Sequence, residues 1–214
     1  SEPIPWRWLS ELVADREVTV DELRFNQAAM RDVQGHLRID EGRLRLDPLS
    51  GTLANGGVEG QLTVDASDDA SPTAQLSLVV KGLTPADLGQ ADKGLIDGGS
   101  TDLFAELEAR VSSPADFAAS LKGEAAVEVQ RATLRNGLLD LFASDLLTTA
   151  VGFINPFSEK DDQTELECAA VAFAISDGVL RSDNTLAIET AKVKVRGGGT
   201  INLADETLAL DFVP

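Results

Sequence analysis

Hydrophobic and polar residues alternate with a period of two along most of this 214-residue chain. Within residues 57–65, Val58 and Val64 point to one side and their sequence neighbours are polar or glycine. Residues 43–47 and 102–111 show the same alternation. Because successive side chains of a strand point to opposite faces, this period predicts antiparallel strands with one apolar face and one wet face.

Short turn signals separate the predicted strands, and each contains glycine, which accepts the positive φ of a tight turn. The glycine triplet 197–199 is followed by neither a lysine nor a helix, so it indicates a strand bulge or bend rather than a phosphate loop. The signals lie at Glu41-Gly42, Asn55-Gly56-Gly57, Asn136-Gly137, Asp177-Gly178 and Gly197-Gly198-Gly199.

Few segments have helical periodicity. Residues 5–13 predict one short helix that carries Trp6 and Trp8, and Ser113-Pro114 is a typical helix start. The longest predicted helix runs from about 138 to 154, and we expect it to cap the sheet or close one end of its core. Its apolar side carries Leu139, Phe142, Leu146 and Phe153.

Two arrangements can accommodate so many apolar strand faces. A closed sandwich or barrel buries them against each other. An open, curved sheet leaves them exposed, and exposed patches of that size mark a ligand, partner or membrane site. The alternation is compatible with both arrangements, and no compositional break divides the chain into two domains.

The net charge of the chain limits the classes of molecule that it can bind. Asp and Glu number 36 against 18 Lys and Arg, which gives a net charge of −18. Such a field repels phosphate backbones and anionic membrane surfaces, so nucleic acid is excluded as a partner.

The residue types that usually carry catalysis are scarce. His36 is the single histidine and lies on the polar side of an alternating strand, so no second histidine can share a metal with it. Cys168 is the single cysteine, and a free cysteine in a strand is usually a small buried hydrophobe. We therefore expect no metal, no cofactor and no enzymatic activity.

The order and spacing of several segments resemble those of the AsmA family of Gram-negative envelope proteins. In the closing part these are residues 173–180, 182–184, 188–190 and 193–203, which read as strand, Asp-Gly, strand and a Gly-x-Gly strand. Residues 42–49, 53–60, 121–123 and 132–137 carry similar elements. The resemblance covers nearly the whole chain from about Pro5.

The resemblance implies a mainly β fold: a long curved antiparallel sheet, groove-like or partly closed, with a few short helices. It also implies a location in the periplasm, tethered to the inner membrane. Residues 1–214 then form a single β-rich domain, and we expect it to be a fragment of a larger membrane-anchored protein whose N-terminal anchor and C-terminal continuation lie outside it.

The implied function is phospholipid transport between the inner and outer membranes and outer-membrane homeostasis, with phospholipid or fatty-acyl chains bound in a hydrophobic groove. The alternative is a non-enzymatic scaffold or chaperone that assists outer-membrane protein assembly, with envelope proteins as partners. The groove candidates are the alternating apolar positions Leu44, Leu46, Val58, Leu62, Val64, Leu76, Leu78, Val80, Leu103, Leu107, Val127 and Val129.

Overall fold

The computed structural model describes residues 3–25, 28–68, 70–85, 96–135, 163–191 and 194–213. Within these ranges the chain forms eleven strands and two short helices. The strands are β1 (Ala14–Phe25), β2 (Ala28–Asp40), β3 (Arg43–Leu53), β4 (Gly56–Asp65), β5 (Thr73–Leu83), β6 (Ile96–Arg110), β7 (Lys122–Arg135), β8 (Gln163–Ser176), β9 (Val179–Thr190), β10 (Lys194–Asn202) and β11 (Thr207–Val213).

All eleven strands belong to one curved sheet in which each strand pairs antiparallel with the next along the chain. The order is therefore β1 to β11 without a crossover, and β1 and β11 do not pair with each other. The predicted antiparallel sheet is confirmed. Of the two arrangements considered from the sequence, the described residues adopt the open one and form no closed sandwich or barrel.

Tight turns connect several strands where the sequence predicts them. Glu41 and Gly42 both have positive φ, at 47° and 76°, and so do Asp177 and Gly178, at 49° and 74°. Two central residues with positive φ match the right-handed twist of the flanking strands. Between β3 and β4 the positive-φ pair is Ala54 and Asn55, one residue earlier than the glycine-centred signal predicts.

Both described helices are short. A 3-10 helix spans Trp6–Glu11, within the predicted segment 5–13. Helix α1 spans Pro114–Ser120 and begins as predicted, because Ser113 is the N-cap and its hydroxyl accepts a hydrogen bond from the amide of Asp116 at 3.1 Å. The predicted helix 138–154, with Leu139, Phe142, Leu146 and Phe153, lies outside the described residues.

The glycine triplet lies in β10, where it is associated with an irregularity as predicted. The register between β9 and β10 shifts between Gly197 and Gly199. A side chain at Gly197 or Gly199 would collide with the backbone of β11. A side chain at Gly198 would collide with the backbone of β9. Glycine is therefore required here by close approach of the neighbouring strands.

Candidate functional site

Cross-strand pairing places the predicted groove residues on one side of the sheet. Leu46, Leu62, Leu76 and Leu107 pair in succession across β3, β4, β5 and β6. Paired residues in an antiparallel sheet point to the same face, so these four leucines form one continuous row. We call the side of the sheet that carries this row the apolar face.

A second row runs parallel to the first. Val58, Val80, Leu103 and Val127 pair in succession across β4, β5, β6 and β7. Along β4 and β5 this row lies an even number of residues from the leucine row, so it belongs to the same face. The other candidates complete the apolar face, because they pair with or alternate with members of the two rows: Leu44, Val64, Leu78 and Val129.

The apolar face is only partly covered. Val58, Val64 and Val80 are buried, with exposed fractions of 4%, 6% and 3%. The other nine candidates are partly exposed. Among the described elements, the 3-10 helix packs on β2 and β3 and α1 packs on β6, and no second sheet lies over the face. The described residues thus leave the apolar face partly accessible and do not enclose it in a core between two layers.

The 3-10 helix covers one end of the apolar face. Leu9 is fully buried and packs in a cluster with Ile39, Val64 and Val111. The indole Nε1–H of Trp6 donates a hydrogen bond to the carbonyl oxygen of Val111 at 2.7 Å. These contacts fix the N-terminal segment at the strand ends that include the β2–β3 turn.

The apolar face is larger than the sequence analysis predicts. On β2, Leu37 pairs with Leu46 and Ile39 pairs with Leu44. On β8, Phe173 pairs with Ala125 of β7 and Val171 pairs with Val127, so both belong to the apolar face. The alternating positions of β2 could have identified Leu37 and Ile39, whereas β8 is harder to assign because its small residues make both sides weakly apolar.

The opposite side of the sheet, which we call the polar face, carries many of the charged groups. Arg45, Thr63, Gln75, Glu108 and Lys122 form a cross-strand row there. The Nζ of Lys122 lies 2.9 Å from Oε1 of Glu108. Such exposed pairs contribute little to stability, but they show that this face is hydrated.

Shallow depressions occur on the polar face. One, of about 250 Å³, is lined by His36, Arg38, Arg45 and Asp47. Another, of about 570 Å³, is lined mostly by polar side chains, including Gln61 and Gln75 of the polar face. Neither depression offers the dry apolar lining that an acyl chain requires.

His36 lies on the polar face as predicted and contacts the carboxylate of Asp15. The hydrogen bond from His36, together with the nearby charge of Arg38, lowers the pKa of Asp15. Arg38 Nη2 lies 3.2 Å from the same carboxylate. The arrangement is an exposed ion-pair cluster between neighbouring strands.

Cys168 lies in β8 and is partly buried. Burial raises the pKa of its thiol, and the negative charges of Glu128 and Glu189 raise it further. A raised pKa keeps the sulfur protonated, which is the opposite of what a nucleophile needs. Within the described ranges, no group of three or more histidine, cysteine or acidic residues could hold a metal ion.

None of the helices within the described part of the chain is both long enough and apolar enough to cross a bilayer.

The fold and the site place this chain in a class of proteins that are built on an open, single-layer antiparallel sheet with one apolar and one polar face. A family model described as the AsmA family matches residues 1–185, and the chain belongs to that family. No curated protein and no solved structure matches the chain. The family match ends within β9, so β10 and β11 lie beyond it. The glycine-rich strand β10, which is part of the resemblance noted from the sequence, is therefore not covered by the match.

Proposed function

We propose that this chain binds the acyl chains of phospholipids along its apolar face and is a periplasmic segment of a protein that moves lipid between the inner and outer membranes. Tethering of the full-length protein to the inner membrane is part of the proposal. Membership of the AsmA family supports it. The observation that carries it is the partly exposed apolar face formed by the two cross-strand rows.

The physical basis of binding is area rather than recognition by particular groups. Transfer of apolar surface from water contributes about 25 cal/mol per Å². From β4 to β6, none of the described residues on the apolar face is charged, so an acyl chain meets no desolvation penalty there. This mode of binding needs no catalytic residue, and the proposed function is non-enzymatic.

The proposal predicts that a charge on the apolar face blocks acyl binding. Leu62→Asp places a carboxylate between Leu46 and Leu76, where the ion loses water without gaining a partner. We expect a fluorescent fatty-acyl probe to bind the wild-type protein and to bind this variant at least about tenfold more weakly, a loss of about 1.4 kcal/mol. Leu62→Ala should bind almost as well as wild type, because it removes only a small part of the area.

Gln61→Asp is the matched control, because Gln61 is adjacent in sequence but exposed on the polar face. Circular dichroism establishes that each variant retains its sheet, and mass spectrometry of an organic extract tests for phospholipid that co-purifies with the wild type. Equal loss of probe binding in both Asp variants, or a lipid-free wild type that takes up no probe, would exclude the proposed function for this chain.

A second candidate is the non-enzymatic scaffold or chaperone that assists outer-membrane protein assembly. The outer edge of β1 favours it, because none of the other described strands except β2 pairs with β1, and an unpaired edge can accept an extended strand of another protein. Photo-cross-linking from β1 to an unfolded outer-membrane barrel protein, in the absence of bound lipid, would support this function. Failure to cross-link would reject it for that edge.

A further inference from the structure

Strand β1 places an arginine on the apolar face. Arg16 pairs with Leu37 of β2, and Leu37 pairs with Leu46 at the beginning of the leucine row. Because paired residues of an antiparallel sheet point to the same face, Arg16 belongs to the apolar face. Its neighbours two positions away along β1, Ala14 and Val18, are apolar and partly exposed.

The row that contains Arg16 crosses the whole sheet. It includes one residue from each of the eleven strands, and every member except Arg16 is apolar or glycine. In strand order the members are Arg16, Leu37, Leu46, Leu62, Leu76, Leu107, Gly123, Ile175, Leu180, Ile201 and Leu208. Arg16 is therefore the one charged residue of this row, and it lies at the end formed by β1.

Arg16 differs from the other arginines of β1, β2 and β3 in its contacts. Each of the others forms an ion pair with a carboxylate: Arg24 and Arg31 with Glu22, Arg38 with Asp15, Arg43 with Asp65, and Arg45 with Asp47. Among the described residues, none supplies a carboxylate to Arg16, whose Nη1 donates a hydrogen bond to the backbone carbonyl oxygen of Asp15 at 2.8 Å. Most of the donors of this guanidinium are therefore available to a ligand.

An arginine without a carboxylate partner is unexpected in this chain, because its 36 acidic residues outnumber its 18 basic residues. An anion is attracted to such a chain only where a cation is not already neutralised. A guanidinium can donate two parallel hydrogen bonds to a phosphate, in a geometry that the ammonium group of lysine does not reproduce. Arg16 thus provides a phosphate-binding group beside a surface that otherwise suits acyl chains.

The apolar part of the row next to Arg16 is long enough for a hydrocarbon chain. Five partly exposed leucines follow Arg16, one on each strand from Leu37 on β2 to Leu107 on β6. Neighbouring strands lie about 4.8 Å apart, so this stretch is about 19 Å long. A molecule with a phosphate at one end and a long acyl chain can contact the guanidinium and the leucines together.

We propose that Arg16 binds the phosphate of a phospholipid whose acyl chain lies along the leucines of this row. This contact rests on the proposed function, because it adds a headgroup to the acyl chains bound on the same face. The buried apolar area supplies the affinity for the acyl chain, and the guanidinium supplies selectivity for lipids that carry a phosphate. Diacylglycerol, which has the same acyl chains without the phosphate, is the lipid that Arg16 discriminates against.

Two fluorescent probes with the same labelled acyl chains, phosphatidylcholine and diacylglycerol, test the proposal. Neither probe has a net charge, so long-range repulsion by the chain affects neither strongly. We expect the wild type to bind phosphatidylcholine at least about tenfold more tightly than diacylglycerol, because the phosphate gains charge-assisted hydrogen bonds. Arg16→Gln should make the two affinities nearly equal without weakening diacylglycerol binding, and Arg16→Lys should retain part of the preference.

Arg38→Gln is the matched control, because it removes the same charge from the polar face, where Arg38 pairs with Arg45. It should leave the preference for phosphatidylcholine unchanged, and circular dichroism establishes that each variant retains its sheet. A wild type that binds both probes equally would overturn the phosphate contact while leaving the proposed function intact. A preference that survives Arg16→Gln, or that Arg38→Gln abolishes equally, would also overturn the contact.

Inorganic phosphate distinguishes a lipid headgroup from a free anion. It should displace the phosphatidylcholine probe poorly, because it lacks the apolar area that the leucines bind. Displacement by an equimolar amount of inorganic phosphate would identify the free anion as the ligand and overturn the proposal. A wild type that binds neither probe would exclude the proposed function and the Arg16 contact together.

Discussion

Leu9 shows how one side chain holds the N-terminal segment on the sheet. Its side chain is fully buried among Ile39, Val64 and Val111, whereas Leu12, three residues later, is 45% exposed. Removal of a buried leucine costs its transfer free energy and leaves a cavity.

We expect Leu9→Ala to lower the free energy of unfolding by about 2–5 kcal/mol, measured by urea denaturation. Leu12→Ala is the matched control and should change that free energy by less than about 0.5 kcal/mol. Similar effects of the two substitutions would show that the 3-10 helix is not packed on the apolar face as described.

The carboxylate of Asp116 links helix α1 to the end of β6. The guanidinium of Arg110 donates to it from Nε at 2.9 Å and from Nη2 at 2.6 Å, and the hydroxyl of Ser112 also contacts it. The hydrogen bonds from Arg110, followed by the one from Ser112, lower the pKa of Asp116. A carboxyl group whose pKa falls on folding stabilises the folded state at pH values above its ordinary pKa.

The contribution of Asp116 should therefore depend on pH. At neutral pH, Asp116→Asn should lower the thermal unfolding midpoint. As the pH falls below about 3.9, the ordinary pKa of aspartate, and through the lower folded value, the difference from wild type should shrink. Asp40→Asn, at an exposed position, is the control and should leave the midpoint nearly unchanged. A difference for Asp116→Asn that stays constant down to acidic pH would contradict this account.

At the scale of the element, bulges keep the apolar residues on one face. A strict period of two from Leu44 and Leu46 would place Leu49 on the polar face. The register instead shifts between Leu46 and Leu49, and Leu49 pairs with Gly60, which lies between Val58 and Leu62 on β4. One extra residue in β3 thus restores the alternation on the correct side.

Strand β5 uses the same device. The register shifts between Val80 and Leu83, and Leu83 pairs with Thr101, two residues from Leu103 on β6. Gly82 lies within this irregularity with a φ of 72°. A Cβ at position 82 would meet no atom within 4 Å. Glycine is therefore needed at this position because of the positive φ and not because of crowding.

Gly82→Ala should therefore lower the free energy of unfolding by about 1–2 kcal/mol, the cost of a left-handed conformation for a residue with a Cβ. Gly57→Ala is the matched control, because Gly57 is also unobstructed but is not among the positive-φ residues. It should be neutral or slightly stabilising. Chemical denaturation measures both, and an equal effect at the two sites would mean that the bulge conformation is not required.

The sequence pattern predicts some of these strands but not their bulges. The alternation around Val58 and Leu103 predicts their strands and their shared face, because a half-buried strand must segregate its side chains. It does not predict strand β1, whose charged residues obscure the alternation; among the described strands, β1 pairs only with β2. Bulges such as that after Leu46 become visible only once the partner strand is known.

At the scale of the whole molecule, the sequence could not decide between an open and a closed sheet. Closure depends on whether the first and last strands meet, and this follows from accumulated twist and curvature rather than from any local pattern. In the structure the edges do not meet. The same alternation that would fill a barrel therefore forms a partly exposed apolar face.

The chain has a net charge of −18, and the structure shows where many of its charged side chains lie. Charged rows such as Arg45, Glu108 and Lys122 occupy the polar face, while the apolar face between β4 and β6 carries no charge among its described residues. A strongly charged opposite side opposes aggregation through the apolar face. The sheet can thus remain dispersed in water while it presents a surface that suits acyl chains.

The central claim is that acyl chains contact the apolar face and not the polar face. It can be tested most directly by replacing Leu76, and separately its polar-face neighbour Gln75, with a photoreactive amino acid and irradiating the protein with phospholipid vesicles. Mass spectrometry of the intact protein should then detect a phospholipid adduct at position 76 and little or none at position 75. Equal labelling at the two positions, or no adduct at position 76, would contradict the account.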